Sequence, residues 1–119
     1  HGNMLKSRFY VCPVCGNAMF ATGEGSFSCC GVSLPPLEPE EPDDTHKIQT
    51  ERIEDEHYVR LDHPMDKTHY ISFLAFVTAD RVQFVKLYPE QNAEARFHLS
   101  GRGVLYALCN RHGLFKKRI

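Results

Sequence analysis

Short apolar segments recur through the second half of the chain at intervals of roughly ten residues, a spacing typical of antiparallel β proteins. Apolar positions alternate with polar ones in several of them, as at Val82 and Phe84 and again at Ala95 and Phe97. This period of two predicts strands with one buried face. The predicted strands are 47–53, 57–62, 69–77, 81–87, 93–99 and 104–109. Their even spacing predicts an all-β fold, an antiparallel β-sandwich of immunoglobulin-like type.

The segment 69–77 is apolar almost without interruption, and its period does not distinguish a strand from a helix. We favour a strand because Tyr70, Ile71 and Phe73 belong to residue types that pack well in sheets. A helix stays open at this point. No internal repeat is evident along the chain.

The first thirty residues depart from this pattern, because they are rich in glycine and cysteine and hold few large apolar side chains. Such a segment cannot build its own core, and a bound metal would supply folding free energy on the order of 10 kcal/mol. Prolines and acidic residues follow, typical of an extended linker. We therefore expect a metal-knuckle domain at 5–37, a linker at 38–45 and the β-sandwich domain at 46–119.

The chain has 119 residues, with 14 basic and 15 acidic side chains. This length excludes a large multidomain enzyme, and the balanced charge disfavours a nucleic-acid partner. No apolar run approaches the roughly 18 to 20 residues of a membrane span, so we expect no membrane association and a cytoplasmic protein. The residues His1, Gly2 and Asn3 before Met4 look like an appended sequence without a functional role.

Cysteines are clustered and odd in number, which favours metal binding over disulfides in a reducing compartment. A Cys-x-x-Cys turn lets two sulfurs reach one ion, with Gly16 free to adopt a positive φ. Four thiolates in a tetrahedral site suit zinc or a mononuclear iron. A redox Cys-x-x-Cys beside an unrelated pair is the alternative, which the glycine-rich context disfavours. The four candidate ligands are Cys12, Cys15, Cys29 and Cys30.

A second group of metal-ligand residues lies in the β-rich part. His63 and His69 are six residues apart, and Cys109 and His112 are three apart. Neither spacing alone is decisive, because a single histidine is more often a surface residue or a hydrogen-bonded core residue than a metal ligand. Their joint occurrence with a surplus cysteine favours a second metal site.

Two sets of motifs resemble a known family. The segment with Cys-x-x-Cys and Cys-Cys is similar to desulforedoxin, whereas His-Pro-Met-x-x-x-His-x-Ile and Cys-Asn-x-His-Gly resemble the active-site motifs of superoxide reductase. In this order they resemble the desulfoferrodoxin family of two-domain superoxide reductases, from about residue 9 to residue 117.

The resemblance implies a catalytic iron with four histidine ligands and one axial cysteine, namely His63, His69, His112, Cys109 and a further histidine. The family places that histidine in a Glu-Lys-His segment, which Asp44-Thr45-His46 matches here, so His46 is favoured. His57 is the alternative, but it borders an acidic turn where an exposed histidine is the simpler expectation.

The resemblance also implies one-electron reduction of superoxide to hydrogen peroxide at an iron with one open position. It implies iron or zinc at the four-cysteine site, a rubredoxin-like electron donor and a homodimer. A non-enzymatic metalloprotein for electron transfer or sensing is the rival. Thr45 replaces the family's usual lysine, so Lys47 or Lys67 would have to attract the anion, and activity would be slower or vestigial. We expect the basic end, residues 116–118, to be a solvated tail.

Overall fold

The computed structural model describes residues 5, 7–98 and 101–119. His1 to Asn3 and the predicted strand end at Leu99 lie outside these residues. All the strands are paired antiparallel. They are β1 Arg8–Val11, β2 Ala18–Ala21, β3 Phe27–Cys29, β4 Val32–Leu34, β5 Gln49–Ile53, β6 Glu56–Arg60, β7 Ile71–Val77, β8 Val82–Lys86, β9 Glu94–His98, β10 Val104–Cys109 and β11 Gly113–Arg118. The all-β prediction is confirmed.

Seven of these strands form a sandwich. One sheet has the order β11-β10-β7-β8, and the other has the order β5-β6-β9. Buried and exposed residues alternate along β9. Its buried residues Ala95 and Phe97 belong to the same core cluster as Ile48 and Phe76. The predicted immunoglobulin-like sandwich is thereby confirmed, with a metal knuckle preceding it.

Strand β7 is buried along its whole length, because both of its faces are covered. Leu74 and Phe76 belong to the core between the two sheets, whereas Phe73 and Ala75 pack against the N-terminal hairpin β1-β2. A strand covered on both faces has no polar side to alternate with. The segment that the sequence left open between strand and helix is therefore a strand.

The N-terminal knuckle consists of two hairpins, β1-β2 and β3-β4. Phe9 of β1 is 2% exposed and lies over the outer face of the four-stranded sheet. Its ring centroid is 5.3 Å from that of Phe73 and 5.0 Å from those of Phe20 and Tyr106. The knuckle thus shares an apolar cluster with the sandwich.

The predicted linker runs beside β11. The amide of Glu40 donates to the carbonyl of Leu114 over 2.9 Å, and the amide of Lys116 donates to the carbonyl of Glu40 over 3.0 Å. The division into 5–37, 38–45 and 46–119 stays a prediction. We propose that the three parts fold together, because the linker pairs with the sandwich and the knuckle covers it.

The prediction of a solvated C-terminal tail is wrong. Residues 116–118 belong to β11, which pairs with β10 along its whole length. Leu114 enters the cluster under the knuckle and Phe115 enters the sandwich core, so the strand is held from both sides. The ammonium of Lys117 donates to the carbonyl of Ile48 over 3.0 Å. The basic side chains suggested a solvated tail, but the apolar stem of a lysine or arginine can pack along a strand while its charged end reaches a polar partner or water.

Among the described residues, no helix is long and apolar enough to cross a membrane.

Candidate metal centres

The four predicted knuckle cysteines lie together, with all four sulfurs within 4.8 Å of one another. Cys12 directly follows β1 and is buried, whereas Cys29 and Cys30 sit at the turn between β3 and β4. The sulfurs of Cys15 and Cys29 are 3.6 Å apart, and those of Cys29 and Cys30 are 3.9 Å apart. Gly16 has the expected positive φ of 76°. All five cysteines of the chain are free thiols, so the cluster is a metal-capable group and not a disulfide pair.

Electrostatics in this cluster favour a bound cation. Hydrogen bonds from the backbone amides of Cys15 and Val14 lower the pKa of Cys12 to about 7. Hydrogen bonds with the thiols of Cys15 and Cys12 raise the pKa of Cys30 to about 12. Ionisation of one thiol therefore makes ionisation of the neighbouring thiols less favourable. A bound dication would stabilise all four thiolates together.

The second group lies at one end of the sandwich. Ligand atoms of His46, His63, His69 and Cys109 all lie within 4.8 Å of one another. His112 completes the set, because its Nδ1 is 3.4 Å from the Cys109 sulfur. The four imidazoles form a closed ring, whose successive centroids are separated by 4.8, 4.6, 5.0 and 4.9 Å in the order His46, His63, His69, His112 and back to His46.

Three of these histidines have a ring nitrogen that needs a partner. The Nε2 atoms of His46, His63 and His69 are buried and have no hydrogen-bond partner among the described residues. Leaving a buried polar atom unpaired is costly, so such groups usually mark an unfilled role. A metal ion would satisfy all three nitrogens at once. Imidazole nitrogens with one thiolate form a donor set suited to iron.

Two of these imidazoles, His63 and His69, have lowered pKa values, which favours their neutral, metal-binding form. Burial lowers the pKa of His63, and the nearby rings of His46, His69 and His112 lower it further. Burial also lowers the pKa of His69, followed by the effects of His112 and Arg111. A neutral imidazole offers a lone pair to a metal, whereas a protonated one does not.

His57 lies apart from this group. It sits in β6, where its ring meets the edge of Phe76 at a centroid distance of 5.2 Å. It is half-buried, so the expectation of an exposed turn histidine is wrong, and burial lowers its pKa. The structure places His46, and not His57, in the ring with His63 and His112.

A tight hairpin brings Cys109 and His112 together. Cys109 ends β10 and pairs with Gly113, which begins β11. The register of β10 against β7 shifts at Cys109, leaving Ser72 as a β-bulge next to the candidate ligand. Bulges re-aim side chains and are common beside active sites.

The loop between β10 and β11 is tied to the segment that carries His69. The side chain of Asn110 accepts a hydrogen bond from the amide of Tyr70 over 2.9 Å and donates to the carbonyl of Thr68 over 3.1 Å. The Nε of Arg111 donates to the same carbonyl over 2.9 Å. These three bonds fix His69 and the Cys109 loop relative to each other.

We expect Gly113→Ala to lower the free energy of unfolding by about 1–2 kcal/mol, because Gly113 has a φ of +94°, where a Cβ is disfavoured. Urea unfolding monitored by circular dichroism measures the change. Gly23→Ala is the matched control, since Gly23 has no positive φ and nothing within 4 Å of an added Cβ. Equal unfolding midpoints for the two variants would contradict the expectation.

The sequence reasoning missed two aspartates that support the histidines. Asp43 and Asp66 each begin an Asp-x-Thr-His segment, a four-residue motif that occurs twice, which corrects the expectation that the chain has no internal repeat. Each carboxylate accepts from the backbone amide of its own histidine, over 2.9 Å to His46 and 2.7 Å to His69. Hydrogen bonds from His46 and Thr45 lower the pKa of Asp43 to about 2, so this carboxylate is ionised at neutral pH.

Comparisons with known proteins agree with the fold and the motifs. The family profile described as Desulfoferrodoxin matches residues 40–118. A desulfoferrodoxin homolog of Archaeoglobus fulgidus is 32% identical over 116 residues, covering 90% of this chain and 93% of that protein. The desulfoferrodoxin of Clostridium acetobutylicum is 39% identical over 59 residues, covering 50% of this chain and 47% of that protein.

Among solved structures, the superoxide reductase from Treponema pallidum is similar in fold, with a TM-score of 0.82 and 22% sequence identity. The match covers 95% of this chain and 98% of that one. The superoxide reductase from Giardia intestinalis covers 65% of this chain, with 98% of its own length matched, at a TM-score of 0.56 and 16% identity. The fold, the motifs and the profile match together show that this chain belongs to the desulfoferrodoxin family.

Proposed function

We propose that the protein reduces superoxide to hydrogen peroxide, at a mononuclear iron held by one cysteine and four histidines. The proposed ligands, which are also the catalytic residues, are Cys109, His46, His63, His69 and His112. One observation carries the proposal: three buried Nε2 atoms without partners among the described residues belong to a closed ring of four imidazoles beside the sulfur of Cys109. The description of structurally similar proteins as superoxide reductases supports it.

Ferrous iron at this site would supply the electron, and a sixth position left open by five protein ligands would admit the anion. The chain's own residues set the net charge of the centre and exclude water from one side of it. Four neutral imidazoles would add no charge to a ferrous ion, and one thiolate would cancel one of its two positive charges. The centre would therefore keep a net positive charge, which attracts an anion. Burial of Cys109 and His46 excludes water from the inner side.

Anion attraction differs here from the usual pattern of the family. Thr45 stands at the position of the usual lysine, and its hydroxyl donates to Asp43 over 2.9 Å. No ammonium is available at that point of the chain. Lys47 and Lys67 are both exposed and remain the proposed replacements for attracting superoxide. We therefore propose a slower reaction than in relatives with a lysine there.

The four-cysteine centre is proposed to hold iron or zinc. Its sulfurs are clustered, and the knuckle that they would hold covers Phe73 and Tyr106 of the sandwich. A metal there would stabilise that cover. If the metal is iron, it also serves as an electron relay, for which a rubredoxin-like donor is the proposed partner. A homodimer and a cytoplasmic location also remain proposals.

The decisive test is the product ratio after a pulse of superoxide. We expect ferrous protein to consume superoxide faster than buffer and to form one peroxide for each superoxide, without oxygen. Dismutation would instead yield peroxide and oxygen in equal amounts. Protein loaded with zinc is the control, because zinc cannot donate an electron. Superoxide decay at the buffer rate would contradict the proposal and favour a non-enzymatic metalloprotein.

A further inference from the structure

The segments that carry His46 and His69 are built alike. In each, one carboxylate oxygen accepts from three groups of the same turn: the threonine amide, the threonine hydroxyl and the histidine amide. For Asp43 these distances are 3.0, 2.9 and 2.9 Å, and for Asp66 they are 3.1, 3.1 and 2.7 Å. Both turns therefore present a histidine from an aspartate-capped backbone.

The two turns differ in one contact. The Oδ1 of Asp43 lies 2.8 Å from Nδ1 of His46, and the hydroxyl of Thr45 lies 2.9 Å from the same nitrogen. Among the described residues, the carboxylate of Asp66 forms no hydrogen bond or ion pair with the ring of His69, and it accepts only from the backbone and the threonine hydroxyl of its turn. Of these two aspartates, Asp43 is the one within hydrogen-bond distance of a candidate ligand ring.

This contact assigns the proton on the His46 ring. An ionised carboxylate can only accept, and the Thr45 hydroxyl donates its proton to Asp43, so both oxygens accept from Nδ1. In a neutral His46 ring, these two contacts place the proton on Nδ1. The lone pair of that ring is on Nε2, the buried atom without a partner.

A second contact fixes the plane of the same ring. His46 stacks on Phe115, with centroids 4.3 Å apart and an interplanar angle of 16°. Phe115 holds one face and Asp43 holds one edge, so both contacts restrict the orientation of the ring, whose centroid is 4.8 Å from that of His63 and 4.9 Å from that of His112. The His46 ring is 2% exposed, whereas the side chain of Asp43 is 61% exposed, so the carboxylate reaches the buried ring from the solvent side.

We propose that Asp43 is a positioning residue, which orients His46 and fixes its tautomer for metal binding. This inference rests on the proposed function, since it assigns a role within the same site. A carboxylate that accepts from the outer nitrogen of a ligand imidazole also makes the imidazole a stronger donor. Asp43 should therefore favour the ferric state and strengthen metal binding, whereas Asp66, which shapes its turn and acts on the His69 ring only through space, should have the smaller effect.

The test compares Asp43→Asn with Asp66→Asn, two isosteric changes that remove one negative charge at equivalent places in the repeat. Fe²⁺ affinity is measured anaerobically by competition with a chelator, and the reduction potential of the loaded protein is measured by redox titration. We expect Asp43→Asn to weaken Fe²⁺ binding by about 10–100-fold and to make the potential more positive. Asp66→Asn should shift the potential and the Fe²⁺ affinity clearly less, because this carboxylate acts on the His69 ring only through space.

Two outcomes separate this inference from the proposed function. Wild-type protein that does not bind Fe²⁺ at this site would contradict the proposed function itself. Wild-type protein that binds, with both variants matching each other in affinity and potential, would overturn only the role of Asp43. If Asp43→Asn does not fold, nitrogen-15 spectra of zinc-loaded wild-type protein decide the question. They should show a protonated Nδ1 on His46, and an unprotonated Nδ1 overturns the inference.

Discussion

Iron-loaded Cys109→Ser protein is expected to lose the visible absorption of an iron–thiolate bond at the histidine site. It should also lose superoxide-reducing activity by more than about 100-fold, which exceeds the range typical of residues that only orient a ligand. The reason is the donor set: Cys109 is the cysteine that lies with the candidate histidine ligands among the described residues, and it is 1% exposed. A serine hydroxyl at neutral pH neither carries the charge nor donates electron density to the same extent.

The matched control for this experiment is Cys15→Ser, which makes the same substitution in the other cluster. Cys15 lies 3.6 Å from the sulfur of Cys29 and is exposed, so the change affects only the four-cysteine centre directly. Its superoxide-reducing activity should stay near that of the wild type under a chemical reductant. Activity retained by Cys109→Ser, or lost equally in both variants, would argue against Cys109 as a ligand.

Phe9→Ala is expected to lower the free energy of unfolding by about 3–5 kcal/mol, the range for deleting a buried aromatic ring. Phe9 is 2% exposed and its ring lies within 5.3 Å of those of Phe20, Phe73 and Tyr106, measured between centroids. The loss opens a cavity between the knuckle and the four-stranded sheet. Urea denaturation of metal-loaded protein measures the effect.

Phe84→Ala is the control, because Phe84, like Phe9, packs on Phe73, but from a surface position. Its ring centroid is 4.7 Å from that of Phe73, yet its side chain is 44% exposed. We expect a change of about 1 kcal/mol or less, as for most surface substitutions. Comparable losses in the two variants would show that the knuckle does not contribute a core to the sandwich.

The strand pattern was predictable wherever one face of a strand is polar. At β9, Glu94, Arg96 and His98 point outward between buried residues, and the alternation was visible in the sequence. Strand β11 was missed because Leu114 and Phe115 are buried on opposite faces and the following residues are basic. Two adjacent residues buried on opposite faces interrupt the alternation, so periodicity alone did not identify this strand.

The candidate ligands were found by residue type and motif, but their convergence was not a local property. His46 and His69 are far apart in the chain, and no short-range pattern brings their rings together with His112. The Asp-x-Thr-His repeat was present in the sequence and went unnoticed. Even once noticed, it would not have shown that only Asp43 reaches a ring, because the two turns are alike in local sequence.

Residue identity was sufficient for the chemistry of the donors and for most strands, since both depend on the side chain itself and its immediate neighbours. Thiols and imidazoles bind metals wherever they meet, and β-branched and aromatic residues at a period of two favour strands. Tertiary structure decided which histidine joined the ring, which aspartate touched it and which strand lay under the knuckle. Those outcomes depend on contacts between distant segments, where packing of Phe115 on His46 and of Phe9 on Phe73 selects one arrangement.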